Sequence, residues 1–309
     1  MKPVTKFLIR SCLTILLLVN GAGFLAAYLM THYQTNSGFG TPRSQNYNDP
    51  QDFGLTYITH QIPLTDRQWL HSWLIPVSNQ QAKGMVLLFH GKDNNKSSLM
   101  DSAEILYQMG YHSMLVDFRG AGQSSGNKTT IGIEEGKDVA AAVDYLAQLP
   151  ETYRDLPLIL YGISMGSAAI LEAIAEYQIQ PDAIILELPF TTILEAVRAR
   201  LRNDRLPPFP MAELIVFWGG LQHGFNGFAH QPIQDAKFVT CPTLVFAGER
   251  DRTVTLAQVK GLTAQIDGKA RLQIFPDVGH KILAKANPQL WQTQVRSFLS
   301  TIVASKRDR

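Results

Sequence analysis
Two hydrophobic patterns alternate along this chain. Continuous apolar runs at "MVLLFHG" (85–91), "HSMLVDF" (112–118), "LPLILYG" (156–162), "AIILELPF" (183–190), "PTLVFAG" (242–248) and "RLQIFPD" (271–277) read as strands buried on both faces. Helical stretches fall between and after them. One covers 98–109 and is closed by Gly110. Another covers 134–149, with Val139, Val143 and Leu146 at helical spacing and Pro150 as its stop; others start at Gly166 and cover 256–266 and 288–305. Ahead of these, "FGLTYITH" (53–60) alternates as a half-exposed strand. It pairs with "QWLHSWLIPV" (68–77) through a hairpin at Asp66-Arg67. Buried strands separated by helices predict an α/β fold, a mostly parallel sheet with helices on both faces. In such sheets the chemistry sits at the carboxyl ends of the strands.

The first thirty residues follow a different pattern. Residues 12–30, "CLTILLLVNGAGFLAAYLM", carry no charge and are long enough to cross a bilayer core as a helix. Lys2, Lys6 and Arg10 precede them, and the next basic residue is Arg43, so the charge asymmetry keeps the N-terminus cytoplasmic and the remainder outside. The segment reads as a signal-anchor over 1–30. A cleaved secretory signal, leaving a secreted enzyme, is the alternative, although Phe24 and Leu25 spoil the small-residue pairs that cleavage needs. Residues 31–51 are polar and rich in turn formers and read as a linker, followed by one domain over 52–305. A net charge of +2 gives no reason to expect a nucleic-acid partner. Cys12 and Cys241 form neither a disulfide framework nor a metal-site spacing.

Four strand ends carry candidate chemistry. In "YGISMGS", Ser164 lies between Gly162 and Gly166 where a strand turns into a helix. Such a turn lifts the hydroxyl above the sheet, the glycines leave room for close backbone, and the helix N-terminus supplies free N–H groups. A serine nucleophile also needs a base and an acid to orient it. His280, after the last strand, supplies the base, and Asp251, after the strand before it, supplies the acid. Glu249 and Glu187 compete for the acid's role, but Glu249 stays too close to its strand. His90, at the fourth strand end, reads as structural. His32, His60, His71, His112, His223 and His230 read as packed or surface imidazoles.

With "LLFHG", "DFRGAGQSSG" (117–126), "YGISMGS", "ELPFTTILEAV" (187–197), "CPTLVFAGERDRTV" and "GH", the sequence resembles the α/β-hydrolase superfamily over 52–305. It is most similar to the membrane-anchored Bem46-like hydrolases and the serine aminopeptidase-like (S33) group. The resemblance implies an eight-stranded-type sheet and the chain order Ser164, Asp251, His280 for the triad. It implies an oxyanion hole from the backbone amides of Lys92 and Met165, and a structural turn around Asp117 and Arg119. Two departures stand out. "HGKDNNKSS" replaces a small Asn- and Gly-rich turn, and Glu187 stands where a small residue is common.

Between strands, residues 191–240 form an insertion where the family places its lid. Helices flank residues 205–230, and prolines and glycine pairs break the insertion, predicting a compact, irregular cap rather than a full helical domain. Its Trp218 and Phe225 are candidate walls for an acyl group, against the alternative that they only pack the cap. The expected activity is hydrolysis of a carboxylic ester through an acyl-enzyme, with no metal and no cofactor. A serine peptidase, with Glu187 holding a free amino group, and a non-catalytic scaffold are the alternatives. The expected partners are a small-molecule ester or peptide and, through the N-terminal helix, the membrane.

Overall fold
The computed structural model describes residues 3–35, 38–64, 67–78 and 81–307. Eight strands form one sheet in the order β1-β2-β4-β3-β5-β6-β7-β8. They are β1 Ile58–Pro63, β2 Trp69–Ile75, β3 Met85–Phe89, β4 His112–Val116, β5 Leu158–Ile163, β6 Ala183–Glu187, β7 Thr243–Gly248 and β8 Ala270–Phe275. The pairs β1/β2 and β2/β4 are antiparallel and the rest parallel. Of the hairpin residues between β1 and β2, Asp66 lies outside the described residues, as does Lys2 at the N-terminus.

The helices are α1 Pro3–Thr31, α2 Met100–Gln108, α3 Ile133–Leu146, α4 Glu151–Arg154, α5 Met165–Tyr177, α6 Ile193–Asn203, α7 Met211–His223, α8 Pro232–Asp235, α9 Leu256–Thr263, α10 Leu283–Ala286 and α11 Pro288–Arg307. Successive side chains of a strand point to opposite faces, so each apolar run serves two cores. Leu87, Met114, Leu160, Ile184 and Val245 join the core beneath α3 and α5. Leu88, Leu115, Tyr161, Ile185 and Phe246 join the one beneath α2 and α11.

The structure departs from the sequence pattern in three places. The alternating run at 53–60 becomes a strand only from Ile58. Ahead of it, Pro50–Phe53 is a 3-10 turn, capped by the Asp49 carboxylate and ended by Gly54 in the left-handed region. In the cap, α6 flanks residues 205–230 as expected, but α7 runs as a regular helix inside that stretch despite its prolines and glycines. Thr192 caps α6 by accepting from the Glu195 N–H, and Pro210 sits just ahead of α7, where no intrahelical donor is lost.

Third, neither α1 nor the stretch after it stands free. Gly23, Ala27 and Thr31 are buried on one stripe of α1, packed along α7. A Cβ on Gly23 would lie 2.8 Å from Leu214 Cβ, so glycine sets how closely the two helices approach. His32 and Tyr33 are buried. Arg43 donates to the carbonyls of Ala121, Gly122 and Gly126, strapping the polar stretch to the turn after β4.

Candidate active site
Ser164 sits between β5 and α5 with φ 52° and ψ −106°, a strained backbone for a residue with a side chain. The flanking glycines are sterically required. A Cβ on Gly162 would lie 2.4 Å from the Gly166 carbonyl carbon, and one on Gly166 would lie 2.3 Å from Phe89 O. The Ser164 N–H donates to Glu187 O at 2.7 Å, which ties the turn to the end of β6.

His280 lies in the loop between β8 and α10, with its side chain 28% exposed. Its Nδ1 is 2.7 Å from Asp251 Oδ2. The Asp251 side chain has no exposed surface. Its Oδ1 accepts the N–H groups of Thr253 at 2.7 Å and Val254 at 2.9 Å, leaving Oδ2 for the imidazole. Glu249 is directed elsewhere and accepts the Asp277 N–H.

Ser164, Met165, Lys92 and His280 line one cavity of about 850 Å³. Among the described residues, neither the Lys92 nor the Met165 N–H has an acceptor. His90 holds the Lys92 loop. Its Nδ1 donates to Gly91 O at 2.7 Å and its Nε2 accepts the Phe118 N–H at 3.1 Å, which leaves a neutral ring whose pKa burial lowers. Asp117 and Arg119 are structural. Buried Asp117 accepts from the Lys96 backbone N–H, Lys96 Nζ and the Gln123 N–H, while Arg119 forks onto Asp138.

Three readings of the sequence need correction. Trp218 does not line this cavity. Its ring meets Phe24 of α1 edge-on, centroids 5.6 Å apart, because α1 occupies that side of α7. Phe225 faces a second, smaller cavity beside Ile193, Val216 and Gly220, since its N–H is turned back onto Gly220 O at the end of α7. Glu187 does not reach the cavity either. It is fully buried and accepts from the Leu283 N–H at 2.7 Å, the Tyr161 hydroxyl at 2.7 Å and Trp291 Nε1 at 3.2 Å, so it offers no free carboxylate to an amino group. Burial pushes its pKa up to about 7.

What the sequence reading missed are the walls. Ala26, Leu29 and Met30 of α1 line the cavity of Ser164, together with Ile131, Val197 and Ile215. Ile131 takes φ 59°, rare for a β-branched residue. Its loop is held by Glu135, which accepts from the hydroxyls of Thr129 and Thr130 and from the Gly132 N–H. The pair "TT" followed by a helix-opening glutamate was the available signal. Away from the cavity, Glu172, His230 and Asp235 bring one donor atom each within 4.8 Å of one another where α5 meets α8. His230 Nδ1 is engaged with Glu172 at 3.0 Å.

Residues 80–215 match the serine aminopeptidase S33 family, and residues 210–300 match the dienelactone hydrolase family. Protein bem46 of Schizosaccharomyces pombe is 26% identical over 268 residues, covering 84% of this chain and 82% of that protein. The mouse lysophosphatidylserine lipase ABHD12 is 25% identical over 231 residues. That match covers 67% of this chain but only 52% of the mouse protein. Among solved structures, the Pyrococcus furiosus esterase Pf2001 superposes with a TM-score of 0.70 at 21% identity, over 84% of this chain and 96% of that one; this similarity bears on the fold. With that sheet order, a strained serine turn after β5 and these relatives, the chain has the α/β-hydrolase fold and is similar to the Bem46-like hydrolases.

Proposed function
We propose that this protein is a membrane-anchored serine hydrolase that cleaves carboxylic esters of small to medium apolar acyl groups. The observation that carries this reading is Ser164 on its strained turn, lining one cavity with a histidine that Asp251 orients. Ser164 Oγ attacks the ester carbonyl, and His280 Nε2 takes its proton. Asp251 holds Nδ1 protonated and balances the imidazolium charge. The N–H groups of Lys92 and Met165 receive the oxyanion, and the Met165 donor is reinforced by the positive end of α5. His280 returns the proton to the leaving alcohol. Water activated by the same imidazole then releases the acid. The apolar lining residues Leu29, Met30, Val197 and Ile215 suit an acyl chain.

Lys6 and Arg10 ahead of the uncharged stretch favour a cytoplasmic N-terminus, with the catalytic domain on the extracytoplasmic side. A fluorophosphonate probe should label Ser164 alone and fail on Ser164→Ala, and p-nitrophenyl esters should turn over far faster than aminoacyl anilides. Labelling that persists in Ser164→Ala would sink the assignment, and preferred cleavage of the anilides would move the enzyme to the peptidases.

A further inference from the structure
The apolar surface of α1 does not end where the helix docks. Residues 3–22 include no buried position among those described, but the charge-free part of that stretch, 12–22, covers only about 17 Å at about 1.5 Å per residue, so a bilayer core of roughly 30 Å also takes in the docked part of α1. From Gly23 onward α1 lies along α7, and α7 is apolar nearly all round. Its core side buries Ala212, Ile215, Val216, Gly219 and Gly220. Yet Phe217 and Leu221, one turn apart on the opposite side, are 51% and 62% exposed.

The neighbouring cap segments add Leu206 at 53%, Phe209 at 74% and Phe228 at 40%. On α7 itself the one acid, Glu213, is turned onto Arg198 of α6. The exposed face also runs into α1 without a break. Phe217 meets Trp218 at 5.1 Å between ring centroids, and Trp218 meets Phe24 at 5.6 Å.

We infer that this cap face, α7 with Leu206, Phe209 and Phe228, is a second membrane contact, bedded in the interface of the leaflet from which α1 emerges. Its occupant is lipid, because the patch continues an apolar helix of bilayer length, and contiguous exposed aromatic and aliphatic side chains of this kind suit the interfacial zone. Arg202 and Arg205, exposed beside Leu206, suit the headgroup phosphates. The contact has a consequence that rests on the ester-hydrolase reading. Ala26, Leu29 and Met30 of α1 and Ile215 of α7 wall the cavity of Ser164, so an acyl ester dissolved in the leaflet reaches the serine along apolar side chains.

The test uses the full chain in phosphatidylcholine–phosphatidylglycerol vesicles, with Cys12 and Cys241 replaced by serine. A single environment-sensitive fluorophore is placed at Phe217→Cys, Leu221→Cys or, as an exposed control on α9, Lys260→Cys. Labels at 217 and 221 should emit at shorter wavelength and lose intensity to spin-labelled lipid, and the label at 260 should lose intensity only to aqueous iodide. Iodide quenching at 217 and 221 matching that at 260 would overturn the inference. So would shielding of both from lipid and iodide alike, which would mean that a second protein copy covers the face.

The paired change Phe217→Asp and Leu221→Asp should lower kcat/KM for a medium-chain acyl ester presented in vesicles by about tenfold and leave a water-soluble acetyl ester untouched. An equal loss on both esters would assign these residues to cap packing. Failure of the wild-type protein to cleave any ester, with lipid quenching intact, would remove the ester reading and leave the membrane contact standing.

Discussion
Two buried carboxylates flank the loop that carries His280, and they are wired in opposite ways. Asp251 binds two backbone N–H groups through one oxygen and presents the other to the His280 imidazole, at the edge of the cavity that Ser164 lines. Glu187 receives the Leu283 N–H on one oxygen and the Tyr161 and Trp291 donors on the other. It faces the underside of the loop, and burial drives its pKa up to about 7. Both are acids at strand ends within one fold. What separates them is whether the free lone pairs meet a base in the cavity or a ring of core donors. The first arrangement suits chemistry; the second fixes where the chemistry stands.

The largest expected effect is that of Asp251→Asn. Losing the group that orients the imidazole tautomer should lower kcat by about 10⁴ with the fold intact, read by steady-state kinetics beside circular dichroism. A loss under tenfold would mean another acid serves His280.

Glu187→Ala should act through position. It strands the Leu283 N–H and Trp291 Nε1 in the core, costing about 3 kcal/mol of stability in urea unfolding. The freed loop should also lower kcat by roughly 10- to 100-fold. Unchanged stability would break the comparison from the Glu187 side.

A gentler change isolates its ionisation. Unfolded, this carboxyl titrates near 4.5; folded, it keeps its proton up to about 7. The folded state therefore binds more protons between those values, so its contribution to stability is full below 4.5 and is lost as pH rises through 7. Glu187→Gln should flatten this part of the stability–pH curve while leaving the remainder in place. A slope of the same size in wild type and variant would show that Glu187 is ionised in the fold.

Glu249→Gln should do least. Its carboxylate is tied to the Asp277 N–H on the far side of the turn, so kcat/KM should stay within about twofold of wild type. If Glu249→Gln were crippled and Asp251→Asn active, their roles would be exchanged.

Much of this corner is readable along the chain, because local backbone geometry demands it. Gly162 and Gly166 meet neighbouring carbonyls at distances no side chain tolerates, so the glycines themselves mark the turn. The same holds for Asp251, three residues past its strand, where the chain has left the sheet and its carboxylate can meet two backbone N–H groups. Glu187 is different. It reads as a possible substrate contact until Tyr161 and Trp291, 26 and 104 residues away, are seen to converge on it. Trp218 and Phe225 fail for a similar reason. Helical spacing shows that they are apolar and near the lid, but not that α1 and the end of α7 claim them.

By itself the sequence determined the alternation of buried strands and helices, the serine turn, and an uncharged N-terminal helix of bilayer length. Each of these follows from periodicity, glycine sterics or transfer of apolar residues from water, all of which act over a few turns of chain. Only the tertiary structure decided that α1 folds back along α7, that Leu29 and Met30 wall the cavity of Ser164, and that Glu187 belongs to the core. Those outcomes depend on which surfaces fit one another at close range, as Gly23 fits Leu214, and such complementarity is a property of pairs far apart in the chain.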